Sequence, residues 1–460
     1  MKTIKTPIIP AKPTFAKVHA PHELHKEAIC IFAATGFFLD TDTYFKDWMV
    51  LPPASDCKLD ADGYYVEHTP YFSWHTAERD ITFEEALTEF TQLFEQIIDE
   101  QVDNKKVILP LSGGLDSRTQ AVALKHLNKE VHSYSYEFKG GYAETTLGKK
   151  IANSCNFHFD AYKITPGYLW EVIETLAEIN QCYSEFTHPR QMAIFDEYDA
   201  MGDVFSLGHW GDVLFDGMGD AEISEEAQVA YLLKKIIKKG GMELAEALWD
   251  VWDVPGTFAT YLEKRVQKLL AGIPIKHVGA KIRAFKSLYW APRWTATNLA
   301  VFEAKHPITL PYFDNRMCQF ICTVPEKYLA NRQLQIAYIK KRSPSLAKIT
   351  WEEHKPFNLY TFPKNKSPYN LPYRISQKLK RETKALIGNP YIQRNWELQF
   401  LGAENDAHLQ RYLFQEKLDE LVPEKTVRHF YDSFIKGDSV WYSHPISILL
   451  TLSLKIKLLK

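Results

Sequence analysis

The chain is 460 residues long, with 45% hydrophobic residues, 13% aromatics, and 55 Lys and Arg against 57 Asp and Glu. That apolar content supports a sizeable core and excludes a disordered chain, and the length suits two or three domains or one large one. The net charge of −2 gives no global signal for nucleic acid or an anionic membrane as partner.

Residues 1–15 carry three prolines and scattered lysines and lack the apolar centre of a signal peptide. No segment reaches the roughly 20 uninterrupted apolar residues that span a bilayer. Six cysteines are sparse, and none falls in a Cys-x-x-Cys pair. Cys318 and Cys322, one helical turn apart, read as small core residues rather than ligands. A reduced, cytoplasmic setting is the simplest expectation.

Residues 1–80 form a small, irregular module in which Asp60-Ala61-Asp62-Gly63 signals a turn between strands at 56–59 and 64–67. Thr82 and Glu85 make a capping box, and Ala86, Leu87, Phe90, Leu93, Phe94, Ile97 and Ile98 follow at helical spacing to about Asn104. Strands are then expected at 107–111, 131–138, 157–162 and 203–207, separated by helices at about 115–127, 145–154, 168–179 and 190–198. Such alternation predicts an α/β fold with a parallel sheet flanked by helices. From about 225 the pattern is mostly helical. Residues 361–381, rich in Pro, Lys and Tyr, read as an extended basic loop. The tail from Ile446, ending in spaced lysines, reads as a buried terminal helix or strand with a basic end.

The chemistry concentrates where the first of these strands becomes a helix, in Leu111-Ser112-Gly113-Gly114-Leu115-Asp116-Ser117. Two glycines allow a tight turn and close backbone approach, the serines add hydroxyls, and a helix N-terminus favours an anion. An Asp among phosphate donors calls for a cation, which makes Asp116 a natural Mg²⁺ ligand. The lysine of the ordinary phosphate-binding loop is absent.

Ser112-Gly113-Gly114-Leu115-Asp116-Ser117 resembles the pyrophosphate loop of the asparagine synthetase and β-lactam synthetase family, which splits ATP to AMP and pyrophosphate while adenylating a substrate. Ser206-Leu207-Gly208-His209-Trp210-Gly211-Asp212-Val213-Leu214-Phe215-Asp216-Gly217 resembles its second signature, usually Leu-Ser-Gly-Glu-Gly-Ala-Asp-Glu-Leu-Phe-Gly-Gly. The resemblance implies an adenine nucleotide alpha hydrolase-like (HUP) sheet and a synthetase domain over 81–460. ATP is expected on residues 111–117, on Tyr136 beside the adenine, and on Leu207 and Gly208. Mg²⁺ is expected on Asp116 and Asp212. Pro311-Tyr312-Phe313-Asp314 and the terminal segment 441–454 also match the family's pattern, and 36–63 resembles the tail of its glutaminase domain.

Lys2 follows Met1 where a glutamine-hydrolysing member has its nucleophilic Cys, and only a remnant of that domain's length is present. Ammonia is therefore expected from a separate glutaminase partner, or the nucleophile is another amine. His209 replaces the Glu commonly used as base, and Trp210 replaces Gly. A neutral His still accepts a proton near pH 7, although a structural histidine in a degenerate site is the competing account. Lys355, in Trp351-Glu352-Glu353-His354-Lys355-Pro356-Phe357, is the candidate for the family's late phosphate-stabilising lysine, one residue out of its usual spacing; a solvated lysine explains it equally. Arg118 reads either as a phosphate ligand or as an exposed helix arginine. The expected activity is amide formation between a small-molecule or peptide carboxylate and ammonia or an amine, with no nucleic acid and no transmembrane segment. The alternatives are a non-catalytic nucleotide-binding partner subunit and a peptide macrolactam synthetase. Thiolation by Cys155 or Cys182 has no supporting pattern.

Overall fold

The computed structural model describes residues 1–216 and 223–458. The first residues build two small antiparallel pieces. Strands β1 (Lys2–Lys5), β4 (Ser55–Leu59) and β5 (Tyr65–Pro70) form one in the order β1-β4-β5; β2 (Phe15–Lys17) pairs with β3 (Trp48–Val50) in the other. Between them helix α1 (Lys26–Thr35) is buried from Ala28 to Thr35. It packs on the helix Gly241–Val251. Ile8, Phe32, Phe38 and Trp74 therefore belong to the same core as Val107, Phe205 and Leu449, on both sides of the division expected near residue 80.

Helix α2 (Phe83–Val102) opens with the expected box. Glu85 N donates to Thr82 Oγ1 at 3.2 Å, and Thr82 N donates to Glu85 Oε2 at 2.8 Å. Of its apolar stripe, Ala86, Leu87, Phe90, Phe94, Ile97 and Ile98 are buried and Leu93 is half-buried.

The central sheet is parallel throughout. Its strands are β6 (Val107–Pro110), β7 (Val131–Phe138), β8 (His158–Ile164), β9 (Val204–Ser206) and β10 (Ile308–Thr309), in the order β10-β9-β6-β7-β8. Helices α3 (Asp116–His126), α4 (Thr145–Cys155) and α5 (Tyr168–Asn180) form the connections that follow β6, β7 and β8. The earliest of these strands is central, and the chain winds away from it first towards β8 and later towards β10. The carboxyl ends of β6 and β9 thus flank the point where the winding reverses, where such sheets open a crevice.

Several local expectations change. The stretch 190–198 forms two short 3₁₀ turns, Arg190–Ile194 and Asp196–Ala200, instead of an α-helix. The short strand β10 has no sequence signal, because two residues near Pro307 and Pro311 carry no period. The expected basic loop is partly helical, since Leu371–Leu386 is an α-helix. Its only proline, Pro372, lies in the first turn, where a missing N–H costs nothing. The tail is a helix, Ser439–Leu458, buried from Ser443 to Leu454. Gly217 of the second signature and residues 459–460 lie outside the described residues. Among the described residues no helix is long and apolar enough to cross a membrane. All six cysteines are unpaired and buried; burial pushes the Cys155 and Cys182 thiols up to about 12, so neither offers a thiolate near neutral pH.

Candidate active site

The turn after β6 begins at Leu111, whose N–H continues the sheet to the Tyr134 carbonyl at 2.8 Å. The backbone then folds over its own serines. Ser112 N donates to Ser117 Oγ at 3.1 Å, Gly114 N donates to Ser112 Oγ at 3.2 Å, and the two hydroxyls lie 3.1 Å apart. Leu115 anchors the turn in the core. Helix α3 starts at Asp116 with no side-chain cap, which leaves first-turn N–H groups available to an anion. Gly113 is required by crowding, because a Cβ there would stand 2.5 Å from Leu147 Cδ1 and 2.9 Å from Glu352 Cβ.

The turn after β9 packs directly on this loop. Leu207 is buried and bonded to the Thr309 carbonyl at 3.0 Å. A Cβ on Gly208 would lie 3.1 Å from Ser117 N, and one on Gly211 would lie 2.7 Å from Asp116 Cγ. The two sequence motifs, about 90 residues apart in the chain, therefore meet at the carboxyl ends of adjacent strands. Trp210 has φ +80°, a left-handed conformation natural to the Gly of the family pattern. Its indole offsets that strain by burial, a 3.0 Å hydrogen bond to Ser287 Oγ and an edge contact with Phe313.

Asp212 is near enough to perturb Asp116. Burial raises the Asp116 carboxyl to about 6; Arg332 opposes the rise and Asp212 adds to it. Asp116 Oδ1 accepts from the Arg332 guanidinium and, at 3.0 Å, from Gln335 Nε2. Asp212 is exposed, in the short helix α6 (Gly211–Leu214). Two mutually repelling carboxylates beside an uncapped helix N-terminus are hard oxygen donors of the type Mg²⁺ takes, and the residues fit the ion. Burial lowers His209 to about 4, with Asp212 partly opposing. Its Nδ1 is enclosed and makes no hydrogen bond among the described residues. The imidazole is neutral at pH 7 and able to accept a proton.

A strap from the C-terminal half closes over the loop. Glu352 N donates to the Gly113 carbonyl at 3.1 Å. Lys355 lies on this strap, with Nζ 3.2 Å from Glu352 Oε1. Arg118 corrects both expectations, since it is neither exposed nor turned to a phosphate. It is fully buried and donates to the carbonyls of Gly113 (2.9 Å), Ile349 (3.0 Å) and Thr350 (2.8 Å). Burial holds its guanidinium down at about 10, still charged at neutral pH. Tyr136 stands on β7 two residues past the Pro110–Tyr134 pair, level with the start of the loop, with the Arg190 guanidinium 5.2 Å from its ring centre.

Sequence reading missed Arg332, Gln335, Arg190, Glu144 and Lys286. None lies in a recognisable motif. Arg332 is reached through two successive left-handed residues, Asn331 at φ 54° and Arg332 at φ 60°, a backbone signal invisible in composition. Lys286 opens a π-helical stretch, Lys286–Thr295. Burial lowers its ammonium pKa, and Asp212 counters that.

Comparison with known proteins agrees with this geometry. No curated protein matches the chain. Among solved structures it is similar to that of NMN synthetase from Francisella tularensis at 13% identity, covering 45% of this chain and 92% of that chain, with a TM-score of 0.22, which carries no argument. The family described as asparagine synthase matches residues 89–456, a span that holds both motifs, the strap and the terminal helix. The chain belongs to the asparagine synthase family, a family of carbon–nitrogen ligases.

Proposed function

We propose that the protein is an ATP-dependent amide-forming ligase that adenylates a carboxylate and passes the acyl group to ammonia or an amine. The carboxylate oxygen attacks the α-phosphorus of ATP, the bond to the bridging oxygen breaks, and pyrophosphate leaves. The amine then attacks the acyl carbon and AMP departs. The observation that carries this reading is the packing of Gly208 and Gly211 against Asp116 and Ser117, which makes one crevice of two motifs.

In this reading the Ser112–Ser117 turn holds the leaving pyrophosphate through backbone N–H groups and hydroxyls, and Tyr136, Leu207 and Gly208 hold the adenosine end. Asp116 and Asp212 would hold Mg²⁺, which when bound neutralises phosphate charge. Lys355 adds positive charge at the strap. Neutral His209 takes a proton from the attacking amine. Positioning and charge stabilisation supply most of the acceleration.

Phosphorus NMR with Mg-ATP, aspartate and ammonia tests the bond cleaved. AMP and pyrophosphate appearing only with the carboxylate are expected; unchanged ATP with aspartate removes that substrate and turns the search to other carboxylates. Asp116→Asn is expected to abolish AMP formation with an unchanged circular dichroism spectrum, and full turnover by that variant sinks the ligand assignment.

One observation favours a second reading. The Asp116 carboxylate is already engaged by Arg332 and Gln335, as suits a nucleotide-binding partner subunit without turnover. Tight Mg-ATP binding with no AMP from any carboxylate would select it.

A further inference from the structure

The helix Leu371–Leu386 is built the wrong way round for a soluble surface helix. Leu371, Ile375, Leu379 and Leu386 recur at intervals of four, four and seven residues and share one face of the helix, interrupted by Glu382. Such a stripe normally faces the core. Here Ile375 is 57% exposed, Leu379 58% and Leu386 87%, and no residue of the helix is buried. The half-buried positions are Tyr373, Ser376, Gln377 and Lys384, which lie on the opposite, polar side. The helix thus rests on the protein by its polar face and turns its aliphatic face outward.

Charge identifies the occupant. The helix carries five cations, Arg374, Lys378, Lys380, Arg381 and Lys384, against the single carboxylate of Glu382, in a chain whose net charge is −2. Arg374, Lys378 and Arg381 border the stripe. Tyr369, 60% exposed, stands just before the helix, and an aromatic of that kind sits well at a headgroup level. Aliphatic side chains flanked by long cations match a surface of anionic headgroups over acyl chains, which takes the leucines and neutralises the cations together. Lys378 pairs with Glu382 at 3.7 Å, and a neutral protein groove would leave Arg374 and Arg381 unmatched.

We propose that this helix docks the protein, peripherally and reversibly, on an anionic lipid surface. The inference does not depend on the reaction assigned above. Its ends are tied to the candidate site. Asn370 Nδ2 donates to Asn365 Oδ1 at 3.2 Å, and the Asn365 amide is 3.1 Å from His354 Nδ1, next to Lys355. Beyond the helix, Ile392 N donates to the Gly140 carbonyl at 3.2 Å and Tyr391 stacks on Tyr142, on the segment that follows β7. A docked helix is therefore linked at one end to the strap that carries Lys355 and at the other to the segment that follows β7.

Flotation of the full-length protein with vesicles tests this. With phosphatidylcholine vesicles containing phosphatidylglycerol the protein is expected to float, and with phosphatidylcholine alone the bound fraction falls about tenfold. Both I375D/L379D and K378E/R381E are expected to remain with the soluble fraction while melting at the wild-type temperature, because all four side chains are exposed. Three results overturn the proposal: wild type that does not float with the anionic vesicles, variants that float like wild type, and a wild-type dimer in sedimentation that I375D/L379D dissociates. The last assigns the face to a second copy of the chain.

Discussion

His209 shows how one side chain joins stability to chemistry. Its folded pKa is about 4 and its unfolded value about 6.5. Between these the unfolded chain binds a proton that the folded protein does not, so stability falls as pH drops from about 6.5 to 4 and is fully present above that window. In metal-free protein, His209→Gln is expected to flatten this acid limb by at most about 3 kcal/mol, read as urea midpoints from pH 4 to 7. An unchanged limb would assign the acid sensitivity to other groups. The position of His209 was legible from the signature that surrounds it. That its Nδ1 meets no partner among the described residues was not, since that depends on what the turn after β9 encloses. Trp210 was legible as a departure from Gly, whereas its φ of +80° and its bond to Ser287 explain how the departure is tolerated.

At the scale of elements, Arg118 decides whether the strap and the loop move as one piece. Its guanidinium serves carbonyls on both, at Gly113 on one side and at Ile349 and Thr350 on the other. Arg118→Met keeps the volume and removes a charged donor from each of those carbonyls, of which Gly113 keeps the Glu352 N–H, and this is expected to cost about 2–4 kcal/mol. Denaturant midpoints measure the loss, and increased proteolysis at 350–356 before global unfolding locates it. Wild-type resistance there would mean that the Glu352–Gly113 backbone bond holds the strap unaided. The strand–helix alternation and the capping box of α2 were readable, because each has a local period or cap, whereas the tail, apolar on all sides, was readable only as a buried helix or strand. The strap was readable only as a lysine near a phenylalanine. Its closure rests on contacts between residues more than 200 apart, for which no local pattern exists. Leu371–Leu386 was misread because the prolines and lysines of 361–381 resemble a loop while the helix's stripe faces outward.

For the molecule as a whole, the N-terminal residues are structural members of the core. Helix α1 is buried over eight successive residues and lies against Gly241–Val251. Residues 81–460 produced alone would expose that apolar face. They are expected to aggregate or to melt without a cooperative transition, as followed by circular dichroism and size-exclusion chromatography. A soluble fragment with a sharp melt would show that residues 1–80 are dispensable.

His444, in the last helix, donates from Nε2 to the Ala33 carbonyl at 2.9 Å, so the first helix of the chain is closed by the last. A ribosome delivers these partners some 400 residues apart, and at about 5–20 residues per second the wait lasts tens of seconds. Gly241–Val251 emerges about half-way through that interval, and until the last helix follows, α1 lacks its final contact and its remaining apolar surface must be shielded by chaperones or by non-native contacts. The core is completed late in synthesis, which makes aggregation during synthesis a greater hazard for this protein than the stability of its finished fold would suggest.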